Sequence, residues 1–364
     1  MISLRPFYAI FPSLLVSSLA CASQPPVTSE RPKHHQEDGY TNPIIGRSNK
    51  GLWKLLKARF SGEWKSPDLA DAEKIEKKSL TTEMLLGSSE EAKLSWIGHS
   101  TFLLQVNGKN ILTDPIFSQR ASPVSFAGPQ RYTQPAVSID DLPKIDLVVI
   151  SHNHYDHLDE ETVKIIGNST KWCVPLGLKS WFEGVGVTDV IEFDWWDQKE
   201  INGIEVIATP SQHWSARGIF DRFDTLWAAW SIQVGDFKSW FAGDTGYNDV
   251  QFKEIGQKIG PFDLAMIPIG AYIPRWFMRD FHVNPEEAVR IHMDVRSKYS
   301  VAMHWGTFPL AGEGLLDPPK DLSAALVELG IDSTAFETLA IGGQIRIPLD
   351  SRPQTAKPLT IDKP

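Results

Sequence analysis

The chain has 364 residues, of which 42% are hydrophobic and 22% are charged, a composition typical of a folded domain of enzyme size. Its formal net charge of −9 argues against nucleic acid as a partner, because proteins that bind nucleic acid usually carry a clear excess of basic residues. The same charge does not exclude a lipid phosphate as a ligand.

The first 22 residues have the pattern of an export signal. Arg5 precedes an apolar run over residues 7–20 that is short for a bilayer span and ends in small residues. The order Ala20-Cys21-Ala22 fits simple cleavage, whereas Leu19-Ala20-Cys21 approximates a bacterial lipoprotein box. We favour lipidation at Cys21, with a simple secreted form as the alternative. Either route takes the chain out of the cytoplasm, and the lipid would hold it in the periplasm or outer membrane of a bacterium at a membrane surface.

Residues 23–80 are predicted to form a tether and an N-terminal helical extension. Residues 23–50 are rich in Pro, Ser and charged groups, and helical patterns follow at 51–60 and 68–78. His34 and His35 fall in the tether, and we assign them no function. Residues 81–350 are predicted as one α/β domain, and residues 351–364 as a disordered tail.

Short apolar strands alternate with helices between residues 81 and 350. Strands are predicted near 93–106, 109–113, 145–150, 171–175, 204–209, 227–234, 238–242, 263–267, 299–303 and 343–347. Helices are predicted near 159–166, 177–184, 249–258, 285–298 and 319–329, with Asp159 and Asn284-Pro285 at helix starts. Cys173, in an apolar strand, is predicted to be a buried and inert thiol.

Four potential metal ligands follow the strand at 145–150 within six positions. They are His152, His154, Asp156 and His157. Neutral imidazole and carboxylate are the ligands that Zn²⁺ and similar divalent ions prefer, and a buried strand can deliver them rigidly to a loop. The alternative is a histidine-rich surface loop without an ion. The aspartate among the histidines argues against it.

Three further strands end in a coordinating side chain. His213 follows the strand at 204–209, Asp244 follows the strand at 238–242, and His304 follows the strand at 299–303. Taken singly, His213 and His304 are as well explained as core histidines as they are as metal ligands. Asp244 is as well explained as a turn residue between two glycines. Because ligands in open α/β sheets gather at the carboxyl ends of the strands, we expect these side chains to join the first cluster.

These motifs resemble the five-part pattern of the metallo-β-lactamase superfamily of binuclear hydrolases. Flanking segments are similar, over roughly residues 90–345, to one family within it, the N-acylphosphatidylethanolamine-hydrolysing phospholipases D. These segments are 96–101, 112–118, 121–123, 151–159, 210–214, 242–247, 268–272, 274–278 and 291–308. The resemblance implies a four-layer αββα sandwich, in which helices flank two mixed sheets.

The resemblance also implies the ligand set. His152, His154 and His213 would hold one divalent ion, Asp156, His157 and His304 would hold the other, and Asp244 would bridge them. Zn²⁺ is the expected ion, although manganese or iron suits the same ligands. Two cations about 3.5 Å apart would share a water, lower its pKa and provide hydroxide as the nucleophile.

The implied reaction is hydrolysis of N-acylphosphatidylethanolamine to an N-acylethanolamine and phosphatidate, a phosphodiesterase reaction of phospholipase D type. Asp156, Asp244 and His282 are the predicted catalytic residues. His282 stands just before the helix start at Asn284, where free backbone N–H groups favour an anion, and we expect it to contact phosphate or donate a proton to the leaving oxygen. A surface-loop histidine is the alternative. Two rival functions remain, a related hydrolase of a soluble lactone or cyclic phosphodiester and a metal-binding lipoprotein without catalysis.

Several other residues have an expected role beside an ordinary alternative. Asp114 is expected to fix the ligand loop without binding metal, and the alternative is an ordinary turn aspartate. His99 either supports the metal site or lies in the core. His292 is expected to be a packing residue or a surface residue. The aromatic loop 272–278 would admit acyl chains or simply close the core. The expected partners are a phospholipid substrate, a membrane surface and, because the family includes dimers, a second copy of the chain.

Overall fold

Two seven-stranded mixed sheets form the centre of the computed structural model, which describes residues 31–48, 50–64, 68–86 and 91–349. The chain divides into Met1–Pro32 and Lys33–Pro364, and every helix and strand named below lies in the second unit. The predicted export signal with Cys21 and the predicted tail at 351–364 lie outside the described residues.

The first sheet contains most of the strands from the amino-terminal half. Its strands are β3 (Glu91–Gly98), β4 (Thr101–Val106), β5 (Lys109–Thr113), β6 (Leu147–Val149), β7 (Lys171–Pro175), β8 (Val190–Phe193) and β16 (Gln344–Pro348). They are arranged in the order β16-β3-β4-β5-β6-β7-β8. Pairing is antiparallel from β16 to β5 and parallel from β5 to β8, so the last strand of the chain completes the sheet of its first half.

The second sheet is built from the following strands. These are β9 (Gln198–Ile201), β10 (Ile204–Thr209), β11 (Ala229–Val234), β12 (Phe237–Phe241), β13 (Leu264–Pro268), β14 (Ser300–Met303) and β15 (Phe336–Glu337). Their order is β15-β14-β13-β12-β11-β10-β9, with parallel pairing from β15 to β12 and antiparallel pairing from β12 to β9. A separate hairpin joins β1 (His35–Gln36) to β2 (Gly39–Tyr40).

Helices flank the sheets, as the resemblance implied. They are α1 (Leu52–Arg59), α2 (Leu69–Lys74), α3 (Glu160–Ile166), α4 (Lys179–Gly184), α5 (Gln251–Lys258), α6 (Arg275–Met278), α7 (Pro285–Asp294) and α8 (Asp317–Leu329). Among the described residues, no helix combines the length and apolarity needed to cross a bilayer. The metallo-β-lactamase αββα architecture predicted from the sequence is confirmed.

The period-two alternation of the strands explains why the sheets pack face to face. In β4, Phe102, Leu104 and Val106 join the large core between the sheets, while Leu103 points to a second core. That second core lies under the outer helices and includes Val163 of α3. Each face of this sheet is therefore apolar, because strands covered on both sides bury successive side chains in opposite directions.

The hairpin β1–β2 corrects the prediction that residues 23–50 are a tether. Within the part of this segment that the structure describes, His34 and His35 hydrogen-bond Asp194, and the backbone N–H of Tyr40 donates to Phe223. The side-chain amide of Asn42 donates to the carbonyl of His213 at 2.8 Å. The polar side chains that gave this segment the composition of a tether are the groups that attach it to the domain.

Other differences concern the limits of elements. The single strand predicted at 93–106 is two strands, because His99 adopts a left-handed backbone conformation (φ 53°) and turns the chain between them. The helix predicted at 285–298 ends at Asp294, and its Asn284 side chain forms the expected cap together with Glu287. Asp159 does not cap α3 with its side chain; its carboxylate instead accepts hydrogen bonds from Ser118.

Candidate metal centre

The predicted ligands converge where four strands end. The loops after β6, β10, β12 and β14 carry them, and these strands belong to both sheets. The structure brings together all seven residues of the predicted set, which are His152, His154, Asp156, His157, His213, Asp244 and His304. All but His154, whose ring lies among the others, are buried residues.

The first group consists of three imidazoles whose nitrogen atoms face each other. Nε2 of His152 lies 2.9 Å from Nδ1 of His154, and Nε2 of His213 lies 3.3 Å from the same atom. A ring of three nitrogen atoms at this spacing surrounds a point that a single cation can occupy. The predicted first site therefore exists as a geometric unit.

The second group combines one carboxylate with two imidazoles. Oδ2 of Asp156 lies 3.2 Å from Nε2 of His157 and 3.3 Å from Nε2 of His304. His99 extends this group, because its Nε2 lies 2.9 Å from the same carboxylate oxygen. Of the two alternatives for His99, the structure therefore favours support of the metal centre over simple core packing.

Asp244 lies between the two groups. Its Oδ2 is 3.2 Å from Nε2 of His157 and 3.1 Å from Nε2 of His304. The same oxygen is 4.0 Å from Nε2 of His152 and 3.9 Å from Nε2 of His213. This is the position that a ligand shared by two cations requires.

The donor atoms fit a pair of divalent cations. Oδ1 of Asp244 is buried without a hydrogen-bond partner among the described residues, while its Oδ2 contacts imidazoles of the second group. Buried polar atoms without partners are costly unless a ligand satisfies them. Five imidazoles and two carboxylates are a donor set suited to Zn²⁺ and related ions. The residues present therefore account for a metal centre better than for a hydrogen-bonded core.

The electrostatics of the cluster favour the metal-binding forms of most of these groups. His157 and His304 are the exceptions: burial acts to lower their pKa, but Asp244 and Asp156 raise that of His157 well above its ordinary value and that of His304 to about 9, so a cation would have to displace a proton from each ring. Burial lowers the pKa of His154 to about 3 and that of His213 to about 4, so both rings are neutral at pH 7. Burial alone would raise the pKa of Asp156 and Asp244, yet the neighbouring His157 holds both well below the ordinary value. Neutral imidazole and ionised carboxylate are the forms that bind cations.

Two backbone positions show why the turn around Asp244 needs glycine. Gly243 has φ 58°, and a Cβ atom there would lie 2.5 Å from Cβ of Ser151. A Cβ atom on Gly246 would lie 2.4 Å from the carbonyl oxygen of Asp280. The Gly-Asp-Thr-Gly turn therefore places Asp244 by bringing its backbone closer to the ligand loop than a side chain would allow.

Asp114 fixes the ligand loop from behind. Its Oδ1 accepts a hydrogen bond from the backbone N–H of Ser151 at 2.7 Å, and its Oδ2 lies 2.6 Å from Nδ1 of His157. Both contacts are fully buried. A carboxylate on Nδ1 sets the tautomer of the ring, so that Nε2 of His157 faces the second group. Asp114 thus has the positioning contacts expected of it.

His282 lies at the edge of the cluster. Its Nδ1 is 3.8 Å from Oδ2 of Asp244, and its side chain is one of the less buried rings of the site. The loop that carries it is fixed by Arg275, whose guanidinium donates to the carbonyl of His282 at 2.8 Å. His292 is separate: its Nδ1 lies 2.8 Å from the hydroxyl of Ser300, so it is a packing residue.

The aromatic loop at 272–278 has both buried and exposed side chains, so parts of it fit each of the two predicted roles, closing the core and admitting acyl chains. Tyr272 and Met278 are buried, and the hydroxyl of Tyr272 donates to Asp321. Trp276 is exposed and lies beside α1, where the Lys57 ammonium sits 5.6 Å from its ring centroid. Tyr272 and Met278 thus help to close the core, whereas Trp276 leaves the tip of the loop exposed.

Sequence reasoning missed the contacts that the amino-terminal segment makes with the site. Asn42 reaches the carbonyl of His213, and Lys50 pairs with Asp280 at 3.0 Å, two residues before His282. A further missed residue is Arg217, which donates to the carbonyls of the ligand loop at Asn153 and Leu158. The run of polar residues at 33–50 carried no motif that would have revealed these contacts.

A family model described as a β-lactamase superfamily domain matches residues 109–305. Together with the two sheets and the His/Asp cluster, this match defines a metal-dependent hydrolase of that superfamily, to which the chain belongs. The resemblance proposed from the sequence is confirmed.

Individual proteins similar to this chain include two phospholipases D and one metallo hydrolase of known structure. The chain is 44% identical over 262 residues to N-acyl-phosphatidylethanolamine-hydrolyzing phospholipase D 1 of Caenorhabditis elegans, which is 68% of this chain and 74% of that protein. It is 37% identical over 236 residues to the mitochondrial phospholipase D of the same description from Saccharomyces cerevisiae, 63% of this chain and 50% of that protein. Igni18, a metallo hydrolase from Ignicoccus hospitalis, shares the fold with a TM-score of 0.53 at 20% identity, covering 71% of this chain and 100% of Igni18.

Proposed function

We propose that the protein is a binuclear metal-dependent phosphodiesterase of phospholipase D type that hydrolyses N-acylphosphatidylethanolamine. The observation that carries this proposal is Asp244, whose Oδ2 lies within 4.0 Å of imidazole nitrogens from both groups of ligands. The 44% and 37% identical relatives that act on this lipid support the choice of substrate.

The chain's residues divide the work in the proposed reaction. His152, His154 and His213 would hold one cation, most suitably Zn²⁺, while Asp156, His157 and His304 would hold the other, with Asp244 shared. When bound, two such cations supply a nucleophile by lowering the pKa of water and stabilise negative charge on phosphate. The two carboxylates leave the centre with a net positive charge, which attracts an anionic phosphodiester.

His282 completes the chemistry at the leaving group. Water adds its oxygen to phosphorus, the bond from phosphorus to the ethanolamine oxygen breaks, and that oxygen takes up a proton as N-acylethanolamine leaves phosphatidate behind. His282 lies 3.8 Å from Asp244 and next to the start of α7. Its ring N–H is placed to donate to a phosphate oxygen or to the leaving oxygen.

A membrane surface is the partner that the outer face of the protein favours. Trp53 on α1 and the adjacent Phe60 are 82% and 83% exposed, and α1 also carries Lys54, Lys57 and Arg59. Exposed aromatic and basic side chains on one short helix suit the interface of an anionic bilayer. Trp276 lies beside α1, and its helix α6 ends a few residues before His282. We therefore propose that a lipid bound at this surface approaches the metal centre from the side of His282.

We also propose that the protein is exported as a lipoprotein. Lipidation at Cys21 would hold the enzyme beside its substrate in the periplasm or outer membrane. A homodimer, which we also propose, would place two such surfaces on one membrane. Labelling with a fatty-acid analogue tests the anchor, with Cys21→Ser as the control that abolishes it, and analytical ultracentrifugation tests the dimer.

The decisive experiment uses vesicles that contain N-acylphosphatidylethanolamine, in water enriched in ¹⁸O. We expect mass spectrometry to find N-acylethanolamine without label and phosphatidate with one labelled oxygen, and chelator to stop both. His282→Gln should slow turnover, whereas His292→Gln, a buried histidine away from the cluster, should not. Turnover of a lactone or of bis(p-nitrophenyl) phosphate without any product from vesicles would favour a hydrolase of soluble substrates. Bound zinc with no turnover at all would indicate a metal-binding protein without catalysis.

A further inference from the structure

Two consecutive histidines outside the metal centre converge on one carboxylate. Nε2 of His34 lies 2.6 Å from Oδ1 of Asp194, and Nε2 of His35 lies 3.0 Å from Oδ2 of the same residue. Successive side chains of a regular strand point in opposite directions. Here β1 begins at His35, and the turn that precedes it brings His34 to the same side.

The surroundings hold these three groups in place. The His34 ring stacks on the Trp195 indole with centroids 4.2 Å apart, and Oδ1 of Asp194 also accepts the backbone N–H of Trp195 at 2.8 Å. The His35 ring packs edge-on against Tyr40 at 5.2 Å. Side chains of His34, His35 and Asp194 are only 9%, 23% and 12% exposed, so the cluster is sheltered but open on the His35 side.

We propose that His34, His35 and Asp194 bind a further divalent cation, of the Zn²⁺ class, at a site separate from the metal centre. Three ligand atoms, two imidazole nitrogens and a carboxylate oxygen, already lie within 4.8 Å of one another. Zinc bonds near 2 Å in a tetrahedral site place ligand atoms about 3.3 Å apart. The contacts of 2.6 Å and 3.0 Å, which involve different oxygens of Asp194, must therefore lengthen as the side chains turn towards the cation. The cation takes the place of the proton on each Nε2, each neutral ring then carries its proton on Nδ1, and water takes the fourth position.

The position of the site gives the cation a structural role. The carbonyl of His34 accepts the N–H of Thr41, and the next residue, Asn42, donates to the carbonyl of the predicted ligand His213. A cation at the hairpin would therefore fasten the segment that braces this ligand. The proposal concerns metal binding by the hairpin, and it stands whatever substrate the metal centre acts on.

Counting bound zinc tests the proposal. Protein dialysed against a zinc buffer is compared with a His34→Gln/His35→Gln variant, because glutamine amides can still donate to Asp194 but are poor zinc ligands. Asp38→Asn is the matched control, since it removes an exposed carboxylate from the same hairpin. We expect the wild type and the control to bind one equivalent more than the double variant, and to unfold at a higher temperature as zinc is raised.

Two further variants keep the result interpretable. If the double variant does not fold, His35→Gln alone should lose at least about tenfold in affinity for the additional ion, because one of three ligands is gone. In an Asp244→Asn background, the additional equivalent should persist while the metal centre loses zinc. Equal zinc content and equal affinity in the wild type and in the folded His-to-Gln variants would overturn the proposal and leave a pair of histidine–aspartate hydrogen bonds.

Discussion

Oδ2 of Asp114 lies 2.6 Å from Nδ1 of His157, and this contact sets the ring so that Nε2 faces Asp244 at 3.2 Å. Asp114 therefore acts on the metal centre through a histidine rather than by direct contact. The same carboxylate accepts hydrogen bonds from the hydroxyl and the backbone N–H of Ser151. Asp114 therefore fixes the ligand loop at two points, Ser151 and His157.

We expect Asp114→Asn to reduce metal affinity and turnover by about 10–100-fold, because the amide cannot stabilise the same tautomer of His157. Metal content after dialysis and kcat together check the prediction. Asp141→Asn, an exposed carboxylate, should leave both unchanged. A variant that keeps full zinc affinity would show that Asp114 supports only folding.

Asp244→Asn should reduce the bound metal from two equivalents to one or fewer and lower kcat by at least about 1,000-fold, since the shared ligand is lost and an amide adds no negative charge. Elemental analysis of the purified variant measures the first effect, and the vesicle assay measures the second. Two tightly bound equivalents with full turnover would contradict the assignment of Asp244 as a bridging ligand.

Asn42→Ala is expected to lower turnover about tenfold and to reduce the free energy of unfolding by about 1–2 kcal/mol, because the buried carbonyl of His213 would lose its donor. Asn110→Ala is the control, since that amide also donates to a backbone carbonyl but lies away from the centre. The prediction requires that Asn42→Ala lose more kcat than Asn110→Ala when the two variants lose a similar free energy of unfolding. Equal kcat values would show that the amino-terminal segment serves stability alone.

Trp53→Ser/Phe60→Ser should weaken binding to anionic vesicles about tenfold or more, because both exposed rings would no longer enter the interface. Hydrolysis of a soluble diester should be unchanged. Val327→Ser on α8, at 82% exposure, removes an exposed apolar side chain elsewhere and should not affect vesicle binding. Co-sedimentation with vesicles measures the binding of each variant. If the double variant binds vesicles as tightly as the wild type, the membrane-binding surface lies on another face of the protein.

Asp194 should make the stability of the metal-free protein depend on pH. Burial acts to raise its pKa, but hydrogen bonds and charge from His34 and His35 lower it to about 2. A depressed carboxyl pKa stabilises the fold above the ordinary value near 4, and this contribution is lost as pH falls towards 2. With chelator present, Asp194→Asn should therefore be less stable than the wild type by about 1 kcal/mol at pH 6, with the difference shrinking below pH 4. Denaturant unfolding at each pH measures it, and a difference that grows in acid would contradict the sign.

The ligand loop was predictable because its residues are contiguous and follow a buried strand. His152 to His157 need no long-range information to be recognised as ligands, and the strand ends before His213, Asp244 and His304 indicate a common edge. The meeting of these ends depends on the arrangement of the strands in two facing sheets. The four-layer sandwich came from the family resemblance rather than from strand patterns, and the strand order came from the structure. The structure then added the distances that show which group each ligand joins.

Contacts between residues distant in sequence were not predictable in the same way. Asn42 and His213 are 171 positions apart, and neither has a local pattern that indicates the other. The break after β3 depends on the left-handed conformation of His99, which an apolar run with one histidine does not reveal. Short strands such as β15, with two residues, offer too few positions for alternation to be visible.

The pairing of β16 with β3 constrains when this protein can fold. Until residues 344–348 emerge, β3 is an edge strand with unpaired backbone groups, and the sheet that supports the ligand loop is incomplete. A growing chain therefore cannot finish its amino-terminal half during most of its synthesis. Closure of the sheet behind the ligand loop is therefore one of the last steps in forming the sandwich, although most of that sheet comes from the first half of the chain.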